Sequence, residues 1–217
     1  MATRKVYRAH TKGKWFVDPV DVDFEWNSGF AGVQKQKNIE NIHREYKKKF
    51  PKDNVLEIST KSKSELGVKL SAFNLSFKTK NQKVYTVEAV FQASKKFENG
   101  GPYRDILNMD PKDAKRDERL KNSGKLVSFV FPNYEWPLEP KTLFYDWLYI
   151  NSLCQNKNLV KEILKYDAFT DIEFNPNKSV NCQARSAALL VSLAKRGLLK
   201  RALSSKEEYI KIMESAY

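Results

Sequence analysis

An α+β fold, predominantly helical, is predicted by three features of the sequence. Apolar residues recur at helical spacing over residues 36–50, 85–97, 139–154, 182–196 and 204–213, the pattern of helices with a face to bury. Shorter runs rich in β-branched and aromatic residues, at 14–26, 54–58 and 126–131, read as strands. No low-complexity linker separates these segments, so the 217 residues, 41% hydrophobic, are expected to form one globular unit.

In chain order, Trp15, Phe16 and Val17, then the alternation Val20, Val22, Phe24 and Trp26, predict a strand pair broken at Asp18-Pro19 and ended by Asn27-Ser28-Gly29. Ile39, Ile42, Tyr46 and Phe50 mark the next helix, with Lys47, Lys48 and Lys49 at the end where cations suit the helix dipole. Asn54 to Ile58 is a short strand, followed by a polar loop from Ser59 to Ser64.

The stretch from Tyr85 to Phe97 is then predicted as a helix that stops at Asn99-Gly100-Gly101-Pro102. Helical spacing puts Glu88, Gln92 and Lys95 on one stripe and Val87, Val90, Phe91, Ser94 and Phe97 on the other side. A carboxylate, an amide and an amine one turn apart form either a solvated face or a site.

Asp110-Pro111 starts a helix running to Asn122, with an N-cap and a first-turn proline. Ser123-Gly124 caps it, and Leu126 to Phe131 follows as a strand. Glu139 to Cys154 is apolar nearly all round and is predicted as the central buried helix. The alanine-rich segment Cys182 to Arg196 is expected to pack against the central one. Ser204 or Ser205, followed by Glu207 and Glu208, opens a last amphipathic helix.

Composition excludes several classes. Lysine and arginine outnumber acids by 39 to 26, a net +13, which favours a polyanionic partner such as nucleic acid or a nucleotide diphosphate. Cys154 and Cys182 have the flanks of buried helices, so neither a disulfide scaffold nor a cysteine zinc site is expected, and a reducing cytoplasm fits. His10 and His43 stand far from each other and from any partner at ligand spacing, so no catalytic metal is expected, and no cofactor. No apolar run reaches membrane-spanning length, so the chain is expected to be soluble, with no membrane partner.

Leu70-Ser71-Ala72-Phe73, Thr86 to Lys95 with its T-V-E-x-x-F-Q-A-x-K pattern, and Pro111 to Lys115, in that order, resemble the NADAR family. Gln155 to Leu164 resembles the family's late helix that leads into its second acidic segment, and the resemblance spans about residues 66 to 195. Phe91 to Lys95, Gly100 to Tyr103, Glu135 to Pro140 and Asp171 to Pro176 resemble the branch that accompanies DarT-type ADP-ribosyltransferase toxins. The resemblance implies a NADAR core at 66–217, with residues 1–65 as an N-terminal elaboration of strands and a helix packed on it.

It also implies an antitoxin that hydrolyses the N-glycosidic bond between ADP-ribose and a guanine base of DNA, preferably single-stranded, with ADP-ribose as product and contact with a DarT-type toxin possible. A carboxylate can stabilise the oxocarbenium-like state of such a cleavage or activate water, which is the role expected of Glu88. Lys95 is either a covalent partner, as a desolvated amine, or a phosphate contact. Ser71, Phe73 and Asn74 are expected to hold the nucleotide, with Gln92 beside them. Lys115 and Arg116 either meet a diphosphate or only solvate their helix. Trp136 either closes the pocket or anchors the core.

The family's second acid lies in a D-x-x-W-G-like segment, and here the sequence departs: residues 171–183 contain no Trp-Gly. Asp171 or Glu173 is expected to supply the acid, and Asn181, Gln183 and Arg185 the hydrogen bonds, with a helix cap the other role open to Asp171. Two readings from other classes stand beside the hydrolase. One is an N-glycosidase acting on a free ribosylated metabolite, such as a riboflavin-pathway intermediate. The other is a non-enzymatic protein that neutralises a toxin by contact.

Overall fold

The basic N-terminus forms one arm of a long antiparallel hairpin. Strand β1, Ala2–Ala9, pairs along its length with β2, Val17–Phe24. The expected break at Asp18-Pro19 does not occur. Both residues lie inside β2, and Pro19 is accommodated because β2 is the outer strand of its sheet. The computed structural model describes residues 1–29, 31–176 and 179–215.

Helix α1, Gly32–Lys49, buries Ile39, Ile42 and Tyr46 against the hairpin's Val6, Val22 and Phe24. Strand β3, Val55–Glu57, follows where a strand was expected, and the short helix α2, Glu65–Lys69, leads to the turn at residues 70–75. A small hairpin, β4 at Ser76–Lys78 and β5 at Val84–Thr86, delivers the chain into α3, Val87–Ala93.

Helix α3 is shorter than its sequence period predicts. Ser94 ends it, its hydroxyl donating back to the Val90 carbonyl at 2.6 Å, and Lys95–Phe97 continue as strand β6. The predicted helix at 111–122 is likewise two pieces, α4 at Pro111–Arg116 and α5 at Arg119–Asn122, broken at Asp117-Glu118. Asp110 caps α4 as expected, accepting from the Lys112 amide. Strand β7, Leu126–Val130, pairs with β6 on one side and with β8, Glu135–Trp136, on the other.

The central helix, α6 at Leu143–Cys154, buries nearly every side chain, as expected. Helix α7, Lys157–Ile163, is followed by β9, Ala168–Thr170, a strand too short to show alternation in the sequence. Helix α8, Gln183–Lys195, packs its alanines and leucines on α6, and α9, Leu199–Ala202, and α10, Lys206–Glu214, close the core. Ser205 is the cap of α10, accepting from the Glu208 amide.

Strand β9 sits in the middle of the first sheet, antiparallel to β1 and parallel to β3, in the order β2-β1-β9-β3. Residues before and after position 66 therefore share one sheet. With 42% helix and 18% strand, the class is mixed α/β, and the helical dominance expected from the sequence is softened by the long N-terminal hairpin. No helix among the described residues is long and apolar enough to cross a membrane.

Candidate active site

Two short segments fix the entry of α3. The Ala72 carbonyl accepts from the Glu88 amide at 3.0 Å and the Leu75 carbonyl from the Val87 amide at 2.9 Å, so the turn at 70–75 satisfies amides that a helix start leaves open. Thr86 caps the same end, its hydroxyl oxygen accepting from the Ala89 amide at 3.2 Å. Gln183 ties that turn to the end of β3: its Oε1 accepts from the Ala72 amide and its Nε2 donates to the Ile58 carbonyl, both at 2.7 Å.

These contacts leave a cleft of about 550 Å³ between α3, the α4–α5 segment and the loop after β9, within the roughly 300–1,000 Å³ of small-molecule sites. Glu88, Gln92, Lys95, Lys115, Asp171 and Asn181 all line it. Glu88 and Gln92 are each only 5% exposed, and the Gln92 amide donates to Glu88 Oε1 at 2.8 Å. The stripe expected on one helix is thus assembled from a helix and a strand, because Lys95 opens β6 rather than continuing α3.

Burial pulls the Lys95 amine down to about 8, with the Glu88 carboxylate opposing the shift and the Lys115 charge adding to it. Its Nζ lies 5.0 Å from the centre of the Phe91 ring. Only glycine fits at position 101, where φ is +74° and a Cβ would stand 2.5 Å from the Lys95 carbonyl oxygen. Tyr145 of α6 joins the same wall, its hydroxyl held well above the ordinary range by burial first and the Glu88 charge second.

Across the cleft, Asp171 begins the loop after β9 and accepts the Glu173 and Phe174 amides on Oδ1, each at 3.1 Å. Burial, and then the charge of Glu57 behind it, hold its carboxyl well above the usual carboxylate range. Glu173 also lines the cleft but is exposed and paired with Lys35 at 3.3 Å. Lys115 lies 5.4 Å from the centre of the Phe73 ring, and Lys121 adds a second cation to that rim.

Other expected residues stand apart from the cleft lining. Ser71 is buried in its turn, its Oγ accepting from the Phe73 amide at 3.4 Å, and Asn74 is exposed, donating to the Val68 carbonyl at 2.9 Å. Arg116 is exposed on α4. Trp136 is wholly buried, its ring 5.6 Å from Phe144 and 4.7 Å from Trp147, with Nε1 donating to the Phe131 carbonyl. Arg185 is ion-paired with Asp146 and faces a separate cleft beside Trp15 and Met213. Asn177 and Lys178 lie outside the described residues.

Sequence reasoning missed Tyr145, Lys121 and Glu57. Tyr145 sits in a helix that reads as core, and its hydroxyl was the available signal. The assembled wall can stabilise positive charge at an anomeric carbon, accept a proton from water at Glu88 and offer one from Asp171, with cations on the rim for an anionic ligand.

The family model for DarT1-associated NADAR antitoxins matches residues 2–217. No curated protein matches the chain.

Proposed function

The chain belongs to the DarT1-associated NADAR antitoxin family, and from that premise we propose that it hydrolyses the N-glycosidic bond between ADP-ribose and a guanine base of DNA, reversing the mark of a DarT-type toxin. The observation that carries this reading is the buried Glu88 carboxylate, held by Gln92, in one cleft with the Lys95 amine, whose pKa burial lowers, and the Asp171 carboxyl, whose pKa burial raises.

As the bond from ribose C1′′ to the guanine nitrogen breaks, the leaving nitrogen takes the proton of Asp171. Water adds to C1′′ and gives its own proton to Glu88, so ADP-ribose is released and the guanine is left unmodified in the DNA. Lys115 and Lys121 stand where a diphosphate would meet them. Lys95 has two roles consistent with its place: neutral, it can attack C1′′ or form an imine with the opened sugar; charged, it contacts phosphate. A guanine must be unpaired or flipped from a duplex to enter, which makes single-stranded DNA the preferred partner.

The test is release of ADP-ribose from a guanine-ADP-ribosylated single-stranded oligonucleotide, wild type beside Glu88→Gln, with folding checked by circular dichroism. Release by the wild type and none by the folded variant is the expected result. No release by a folded wild type would sink the nucleic-acid reading and turn the search to free ribosylated metabolites, then to toxin neutralised by contact.

A further inference from the structure

Behind the cleft, at the end of β3, Glu57 is 3% exposed and forms no ion pair among the described residues. Hydrogen-bond donors surround it instead. The Ile172 amide donates to Oε1 at 2.9 Å, the Thr170 hydroxyl to Oε2 at 2.6 Å, and the Ser59 side chain adds another bond. Because the single Thr170 hydroxyl proton goes to Glu57, its oxygen accepts from His43 Nε2, 2.7 Å away, which places the ring proton on that nitrogen.

Thr170 and Ile172 flank Asp171, so Glu57 grips the chain on both sides of the acid that lines the cleft. Burial raises the Glu57 carboxyl above its usual range, and the bonds from Ile172, Ser59 and Thr170 oppose that shift by favouring the ionised form. Asp171 receives both of its backbone amides on Oδ1, which leaves Oδ2 as the oxygen for a proton. With Glu57 buried and Asp171 half-buried beside it, the two carboxyl groups cannot both ionise cheaply, and the donors decide which one does.

We propose that Glu57 is the positioning residue of this cleft: it fixes Asp171 at the wall through Thr170 and the Ile172 amide, and its negative charge makes Asp171 the member of the pair that carries a proton at neutral pH. The inference rests on the glycosidic-bond reading, in which that proton goes to the departing guanine nitrogen. The other groups in the field of Asp171 are Glu173 on its own loop, Tyr7 of β1, Tyr145 and Tyr149 of α6, and Cys182 just before α8. Glu88, Lys95 and Lys115 share the cleft with it, and His43 of α1, with Lys47 nearby, stands behind Glu57.

Titration of aspartate carboxyl carbons by NMR tests this directly, with Asp171→Asn assigning the resonance. In the wild type, Asp171 is expected to titrate above the other aspartates. In Glu57→Gln, which keeps length and shape but removes the charge, its midpoint is expected to fall by at least about one pH unit. Thr170→Val provides a second variant: without the hydroxyl, Glu57 competes better for the shared proton, and the Asp171 midpoint moves down as well. An unmoved Asp171 midpoint in folded Glu57→Gln overturns the proposal.

In the oligonucleotide assay, the alkaline limb of the pH–rate profile is expected to shift with the NMR midpoint, and Asp171→Asn to abolish that limb. If the midpoint moves while the wild type releases no ADP-ribose, the pairing of the two carboxyl groups stands and the glycosidic reading has failed.

Discussion

Gln92 and Glu88 lie one helical turn apart, and the amide of the first donates to the carboxylate of the second at 2.8 Å. A carboxylate only accepts, so the amide orientation is fixed. Gln92 Oε1 is thereby left buried with no partner among the described residues, an acceptor waiting on a cleft wall. Buried acceptors are costly unless something fills them. Under the proposed function, a ribose hydroxyl or the donor edge of guanine would fill this one.

Gln92→Leu keeps the volume and removes that acceptor. Because it also removes the Nε2 donor to the buried Glu88 carboxylate, it is expected to lower the melting temperature and to weaken ADP-ribose binding about fivefold, for a loss of about 1 kcal/mol. Calorimetric titration of both proteins with ADP-ribose checks it. Equal affinities would show that Oε1 meets no ligand donor.

Lys95 carries a signature in stability as well as in chemistry. Its folded-state midpoint of about 8 lies below the ordinary 10.5, so between those values the unfolded chain binds a proton that the folded chain lacks. Stability should therefore rise with pH across that window, while below pH 8 the fold bears the full cost of the buried cation. Lys95→Met removes both effects. It is expected to be more stable than wild type at pH 7 by roughly 1–3 kcal/mol, with the gap closing by pH 10, as read by urea denaturation. Activity on the modified oligonucleotide should fall at least about tenfold in the same variant.

His43 gives the opposite limb. Burial, with the Lys47 charge assisting, lowers its midpoint from 6.5 to about 4. As pH falls through 6.5 the unfolded chain takes up a proton that the folded chain refuses, and stability is lost progressively down to about 4. His43→Gln keeps a donor for Thr170 and does not titrate. Its melting temperature should fall less than that of the wild type between pH 6.5 and 4.5, a difference on the order of 2–3 kcal/mol at the acid end. Parallel curves for the two proteins would mean that the imidazole titrates normally.

How much of this was legible in the sequence differs from element to element, for physical reasons. The long helices α1, α6 and α8 announced themselves because each has enough turns to display a period. Strand β9 has only three residues, Ala168–Thr170, and β1 carries Thr3, Arg4 and Lys5 on a half-exposed ribbon, so neither shows an apolar rhythm. Lys95 was expected in the cleft for a reason that does not hold. The helix that was to carry it ends at Ala93, because the Val130 amide claims the Ser94 carbonyl at 2.7 Å and strand pairing wins over helical propensity. Glu57 was invisible because its role depends on β9 lying beside β3, a contact across more than a hundred residues.

Trp136 separates a core anchor from a pocket lid. The sequence left both roles open, and the structure surrounds the ring with Phe144, Trp147 and Tyr209, at 5.6, 4.7 and 6.5 Å between ring centres. Its Nε1 is satisfied by the Phe131 carbonyl at 3.3 Å, and no surface remains to meet a ligand. Trp136→Phe leaves a cavity and an unpaired carbonyl, so a loss of about 2 kcal/mol is expected, roughly 4–8 °C in melting temperature for a chain of this size. A lid would behave differently, since shortening it weakens binding and slows turnover without much effect on stability. The expected outcome is therefore a lower melting temperature with unchanged ADP-ribose affinity and unchanged activity per folded molecule. Measured at 15 °C, where both proteins are folded, a tenfold drop in affinity would place Trp136 in the cleft after all and require the β7–β8 turn to move on binding.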